Sequence, residues 1–351
     1  MRGLRDQGRK LVITGEDIRK AATRLGSRTT RTPLLASPEL DAAVGASVLC
    51  KAENLQRTGA FKFRGVLNHL LAIPERELAQ GVIAASSGNH AHALAVAAKM
   101  LDAPATVVIP QDVPQIKLAA VQRHGAKVVY YDRLRDDRDA LVAELAADEG
   151  LTVVPSANSA RVMAGAGTVG LEILQDAPDI STLVVPIGGG GLAAGCATIA
   201  KDMSDSVRVI GVEPAGADDT ALSLRLGHRV VIPPSKTIAD GLGHTSPSPQ
   251  PFAVLRGLLD DVVVVDDDAI SETMALCLEH LKVLIEPSGA CALAAVAANL
   301  VPTGRGRIAA VLSGGNVDWP TFRRLVDLAG ERRGNELSGM HGAWATVSDR
   351  P

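Results

Sequence analysis

Nine short apolar runs, separated by helix-patterned sequence, constrain this chain more than any other feature. They occupy residues 47–51, 82–85, 105–109, 127–130, 152–154, 183–187, 207–212, 262–265 and 308–312. Runs rich in Val and Ile that stay apolar throughout, rather than alternating with polar residues, need cover on both faces. Helices between them carry the chain back for parallel pairing. The fold class expected is α/β. The composition suits it: 351 residues, 46% hydrophobic but only 2% aromatic, enough for an Ala/Val/Leu-packed core in one or two domains. Thr14, followed by Glu16 and Asp17, marks a helix start with a capping hydroxyl and acids in the first turn. The polar, proline-rich stretch 243–251 reads as a loop.

Charge and cysteine usage narrow the function. The formal net charge is −3, with acids and bases interspersed, which argues against a nucleic-acid partner needing a clustered basic face. Arg2, Arg5, Arg9 and Lys10 form a short basic stretch without the apolar segment of a secretory signal. No apolar run approaches the roughly 20 residues of a membrane span, so none is expected. Cys50, Cys196, Cys277 and Cys291 are scattered and lack metal-ligand spacing. They are expected to be reduced and buried, in a cytoplasmic protein.

The chemistry concentrates in four segments. Lys62 lies between two aromatic rings in Thr58-Gly59-Ala60-Phe61-Lys62-Phe63-Arg64-Gly65, opening a helix that should run to about Ile73. An apolar setting disfavours the ammonium form, which is what a Schiff-base lysine requires. Taken alone, such a lysine is more simply a helix-start residue; its company argues otherwise. Ser86-Ser87-Gly88-Asn89-His90, Gly188-Gly189-Gly190-Gly191 and Ser313-Gly314-Gly315-Asn316 each follow an apolar run. Each reads as strand, glycine-rich turn and helix, leaving backbone N–H groups aimed at an anion.

With the motifs in this order and spacing, the chain resembles the fold-type II pyridoxal 5′-phosphate enzymes, and within them the serine racemase and serine/threonine dehydratase group. That group includes threo-3-hydroxyaspartate dehydratases. The resemblance spans roughly residues 32–318. It implies two open twisted sheets covered by helices, of the tryptophan synthase beta-like type. A small domain of about 81–159 would be inserted in a large one made of 1–74 and 160–351. It implies a homodimer acting on a small amino acid. Only 33 residues follow Asp318 (351 − 318), too few for an appended regulatory domain. The implied roles are specific. Lys62 holds the cofactor and takes the α-proton, Gly188 to Gly191 wrap its phosphate, Asn89 bonds its ring hydroxyl, and Ser313 meets its pyridine nitrogen. A hydroxyl at that nitrogen, instead of a carboxylate, favours β-elimination over transamination. Ser86, Asn89 and His90 would receive the substrate carboxylate. Ser87 would serve as acid/base on the face opposite Lys62, which opens a racemase alternative to the ammonia-lyase reading. Threonine-specialised relatives carry alanine there. Glu213, Asp219 and the Ala217 carbonyl resemble a divalent-cation site whose hard oxygens suit Mg²⁺ or Ca²⁺.

Departures from the pattern leave the substrate open. His92 replaces a glutamine, and Ala157 and His244 fall where racemases carry polar residues lining the side-chain pocket. Arg138 aligns with an arginine that can meet a second carboxylate. A rival reading also exists. Gly188-x-Gly190-x-x-Ala193, with Glu213 some distance on, matches the dinucleotide-binding fingerprint of a nicotinamide-dependent dehydrogenase. That reading explains nothing about Lys62, Ser87 or Ser313. A further glycine series, Gly165, Gly167 and Gly170, follows no strand and reads as close helix packing.

Overall fold

The computed structural model describes residues 12–113, 115–303 and 306–345; Arg2, Arg5, Arg9 and Lys10 lie outside the described residues. All nine apolar runs form strands. In chain order the strands are β1 (Leu34–Leu35), β2 (Val48–Ala52), β3 (Val82–Ala85), β4 (Ala105–Pro110), β5 (Lys127–Tyr131), β6 (Thr152–Val153), β7 (Ile180–Pro186), β8 (Arg208–Pro214), β9 (Asp261–Val265) and β10 (Arg307–Leu312). The extra one, β1, is two residues long and carries no periodic signal. It pairs antiparallel along β2, and every other pairing is parallel.

Two sheets result. A six-stranded sheet runs β1-β2-β10-β7-β8-β9, and a four-stranded sheet runs β5-β4-β3-β6. The four strands of the smaller sheet are consecutive in sequence and fall between β2 and β7. In the larger sheet, alternate side chains enter separate cores: Leu183 and Val185 face one, Val184 the other. Both faces are apolar, which is why the runs read as continuous rather than alternating.

The helices Ala160–Asp176 and Gly191–Met203 cover one face and touch backbone to backbone. A Cβ on Gly195 would lie 2.6 Å from the Gly167 nitrogen, and one on Gly165 2.6 Å from the Arg64 carbonyl. The Gly165–Gly170 series is therefore a helix-packing device, as its lack of a preceding strand implies. The helix Gly15–Leu25 starts at Thr14 with a full capping box, Thr14 and Asp17 each bonding the other's backbone.

Two local expectations need correction. The loop from 243 ends at Ser248, because Pro249 and Pro251 open the helix Pro249–Leu258. Proline at the first helical position loses no hydrogen bond, so it marks a start there, not a loop. The Ser313 turn does not open a helix; the next, Trp319–Ala345, begins beyond Asp318. Gly314 instead forms a β-bridge with Ala60, beside Lys62.

Candidate active site

Lys62 begins the helix Lys62–Leu70, and its position is fixed from two directions. On one side its loop is stitched to the Ser313 turn: the Phe61 N–H donates to the Ser313 carbonyl (3.0 Å) and the Gly315 N–H to the Gly59 carbonyl (2.9 Å). Gly59 sits at φ +71°, and a Cβ there would run into the Asn316 side chain, so this crossing requires glycine. On the other side Arg64, fully buried, is bound to Glu53 through two bonds of 2.8 Å and to Glu172 through bonds of 2.6 and 2.9 Å. Buried Lys51 closes the cluster on Glu172 at 2.6 Å. The Lys62 amine itself donates to the Ser156 carbonyl (3.1 Å) and lies 5.1 Å from the centroid of the Phe61 ring. Burial brings its pKa down to about 8, so far more of the amine is neutral near pH 7 than in an exposed lysine, although most is still protonated.

The turn Gly188–Gly191 leads from β7 into the helix Gly191–Met203, with Gly190 at φ +86°. Its walls are tight. A Cβ on Gly189 would meet the Ala157 methyl at 2.9 Å, and one on Gly190 would meet Pro251 at the same distance. Ser313 is buried at the end of β10; its hydroxyl makes one long bond, 3.4 Å, to the Ser288 carbonyl.

Ser86, Ser87 and Gly88 link β3 to the helix Asn89–Met100. The Ser86 hydroxyl accepts the Gly88 N–H at 3.2 Å, so Ser86, not Ser87, closes this turn. Asn89 is held at both ends of its amide: Nδ2 donates to Glu286 (2.6 Å) and Oδ1 accepts from Asn316 (2.7 Å). His90 is buried with Nε2 on the Val154 carbonyl (2.9 Å), and burial, reinforced by Lys62, presses its pKa to about 3. Its imidazole belongs to the small sheet, which leaves its backbone N–H for a ligand. His92 points elsewhere, toward His124 (5.6 Å between ring centroids). Arg138 opens the helix Arg138–Glu149, half-exposed, and bonds its neighbour Asp139 at 2.9 Å.

Glu286 and Asn316 were not assigned roles on sequence grounds. A signal existed for Glu286: it is the sole charged residue between Lys282 and Arg305. It precedes Pro287 at the start of the buried helix Pro287–Ala297.

Glu213 is the penultimate residue of β8 and Asp219 begins the helix Asp219–Leu226, with Ala217 buried in the turn between them. Glu213 accepts the N–H groups of Thr220 (3.0 Å) and Ala221 (2.7 Å), capping that helix. Both carboxylate oxygens of Asp219 are buried without a hydrogen-bond partner. Burial, then the Asp219 charge, raises Glu213 to about 8; burial raises Asp219 to about 7. Two buried acids, one with both oxygens unsatisfied, form a donor set that fits a hard cation. Among the described residues no three acidic, histidine or cysteine side chains converge in a way that could hold a metal ion, so backbone carbonyl and water would complete the shell.

A desolvated lysine, a glycine turn at a helix start and a buried hydroxyl, at the ends of parallel strands, define an α/β enzyme built to hold a phosphorylated carbonyl cofactor. Residues 26–314 match the family model described as pyridoxal-phosphate dependent enzyme, and the chain belongs to that family. It is 41% identical over 310 residues to an L-threonine ammonia-lyase of Geobacter sulfurreducens, covering 88% of this chain and 77% of that one. It is 40% identical over 311 residues to an L-threo-3-hydroxyaspartate ammonia-lyase of a Pseudomonas species, covering 88% and 97%. The structure of maize serine racemase superimposes with a TM-score of 0.86 at 38% identity, covering 92% of this chain and 99% of that one. The dehydrogenase alternative is thereby set aside. All four cysteines are free and buried, as expected. No helix among the described residues is long and apolar enough to cross a membrane.

Proposed function

We propose that this enzyme is a pyridoxal 5′-phosphate-dependent ammonia-lyase that converts a small β-hydroxy amino acid to a 2-keto acid and ammonia. Its candidate substrates are L-serine, L-threonine and threo-3-hydroxyaspartate. The observation that carries the reading is the Lys62 amine, desolvated to a pKa of about 8 and anchored beside the Ser313 turn. When bound, the cofactor supplies an electron-accepting ring that acidifies the α-proton of an attached amino acid. Lys62 would hold the cofactor, and its Nζ would receive that proton. Gly188, Gly189, Gly190 and Gly191 would bind the phosphate through backbone N–H groups. Asn89, oriented by Glu286 and Asn316, keeps a second N–H on Nδ2 to offer the ring hydroxyl. Ser313 offers the pyridine nitrogen a neutral partner. Ser86 and the N–H groups of Asn89 and His90 receive the α-carboxylate, and Arg138 stands at the side-chain end.

The two sheets support a small domain of about 81–159 set within a large one, with the cleft between them. Glu213, Ala217 and Asp219 are proposed to hold Mg²⁺ or Ca²⁺, and the enzyme to work as a cytoplasmic homodimer. Borohydride reduction followed by digestion should leave the pyridoxyl group on Lys62, and the holoenzyme should release keto acid from at least one candidate. A colourless protein, or label on another lysine, would refute the reading.

A racemase alternative has one observation in its favour. Because Ser86 closes the turn, the Ser87 hydroxyl is not needed for it and can serve as the second acid/base.

A further inference from the structure

The Lys62 amine and the His90 ring are fastened to one short segment, Val154 to Ser156, that leads out of β6. His90 Nε2 meets the Val154 carbonyl at 2.9 Å, and two residues on the Ser156 carbonyl accepts from Lys62 Nζ at 3.1 Å. The Val154 N–H donates to the Ile83 carbonyl of β3 at 2.9 Å, so the segment is pinned to the small sheet where His90 grips it. Its far end is tied to the lysine helix itself. His69 Nδ1 lies 3.2 Å from the Ser159 hydroxyl, and Asn68 Nδ2 donates to the Arg161 carbonyl at 2.6 Å. The Ser156 carbonyl is thus held from both sides, within hydrogen-bond reach of the amine.

That acceptor has the chemistry that proton transfer to Lys62 requires. When Nζ takes the α-proton, the electron pair of the C–H bond stays with the substrate, and the amine becomes a buried ammonium. A carboxylate beside it would hold the proton and keep the lysine charged. A carbonyl bears no charge: it orients an N–H and leaves the ammonium acidic enough to shed its proton before the next turnover. His90 is equally uncharged. With its Nε2–H given to Val154, its Nδ1 is a bare acceptor, buried and without a partner. Burial first, and the Lys62 charge second, keep the ring neutral with a pKa of about 3, so its bond to Val154 does not change near neutral pH.

We infer that the Ser156 carbonyl receives the Lys62 ammonium once it carries the α-proton, and that His90 is the positioning residue that keeps this carbonyl in place. The inference rests on the lyase reading and adds a proton-holding group to it.

The test weakens the acceptor without touching a side chain. Replacing Ala157 by its α-hydroxy counterpart turns the Ser156–Ala157 amide into an ester, whose carbonyl is a poorer acceptor. In cofactor-free protein, the pH midpoint for labelling Lys62 with an amine-directed reagent should fall below that of the wild type, because a bond to the charged form is weakened. In the holoenzyme, with whichever candidate substrate is turned over, kcat should fall up to roughly 10-fold, the scale of one hydrogen bond, with KM within about twofold. The isotope effect with α-deuterated substrate should rise. His90→Leu should move all these quantities in the same direction, and His90→Gln, which keeps an N–H for Val154, should recover most of the loss. An unchanged or raised midpoint, or an unchanged isotope effect, in the ester protein overturns the role of Ser156. Equal losses in His90→Leu and His90→Gln overturn that of His90. If the wild type turns over no candidate, the lyase reading fails, and the labelling midpoint alone decides whether the carbonyl holds the ammonium.

Discussion

The two walls of the cleft are built differently. The wall carrying Lys62 and Ser313 is cross-braced: two backbone bonds join their loops, Asn316 ties back to the Thr58 carbonyl at 2.7 Å, and Arg64 of the lysine helix is locked into a charge cluster with buried Lys51 and Glu53 and part-buried Glu172. The opposite side offers Ser86 and Ser87, both half-buried, and an Arg138 that pairs with its own neighbour Asp139; Asn89 is its one residue tied across, to Glu286 and Asn316. Steps common to every substrate need atoms held to within fractions of an ångström. Choice among substrates needs only a surface that can be varied. On the proposed reading the braced side carries the Lys62 chemistry, and the lighter side receives the substrate's carboxylate.

That contrast fails or sharpens under substitution. Lys62→Ala should produce the largest effect, loss of turnover to background together with the cofactor's lysine-linked absorbance, in a protein that still folds. An unchanged absorbance would remove the lysine from its role altogether. Next in size is Ser87→Ala. If Ser87 is the acid/base opposite Lys62, racemisation and D-serine turnover should fall by roughly 10²- to 10⁴-fold, while elimination from the L-isomer largely survives. Equal losses on both isomers would make Ser87 a positioning residue.

Arg64→Met tests the bracing. It leaves Glu53 and Glu172 buried without their main cation, at a cost of about 3–5 kcal/mol readable by denaturant unfolding. A cost below ~1 kcal/mol, typical of a surface pair, would show that the braced wall is not braced by charge. Removing divalent cations with a chelator should lower the melting temperature more modestly, since an ion bound only by the folded state stabilises it, and without one the buried acids Glu213 and Asp219 must neutralise by taking up protons. No change in a preparation verified as metal-free returns Glu213 to the simple capping role its bonds to Thr220 and Ala221 already describe. The smallest effect is a midpoint. In cofactor-free protein, labelling of Lys62 by an amine-directed reagent should rise with pH around 8 instead of 10.5, because burial disfavours the protonated form. A midpoint near 10.5 would mean that the amine is solvated.

Much of this was legible in the residues. The apolar runs placed every strand of both sheets except β1, because interior parallel strands must be apolar on both faces and so announce themselves. The Lys62 and tetraglycine segments were legible for a related reason: a charge among aromatics and four consecutive glycines are both costly without a ligand. What escaped was long-range. Glu286 reaches Asn89 across 197 residues of chain, and no local period records such a pairing. The Ser313 turn looked like a helix start, yet its backbone groups serve the Lys62 loop, a tertiary use that overrides the local pattern.

The charge cluster at the lysine helix has an electrical consequence. Lys51 and Arg64 are matched by Glu53 and Glu172, so the group carries no net charge. Arg64 is only two residues from Lys62, yet burial alone acts on the proton affinity of Lys62. Each base of the group has an acid within it, so the foundation is closed on itself, and burial is what holds the Lys62 amine below its ordinary value. Admitting water to Lys62 would therefore tune its reactivity without disturbing the foundation.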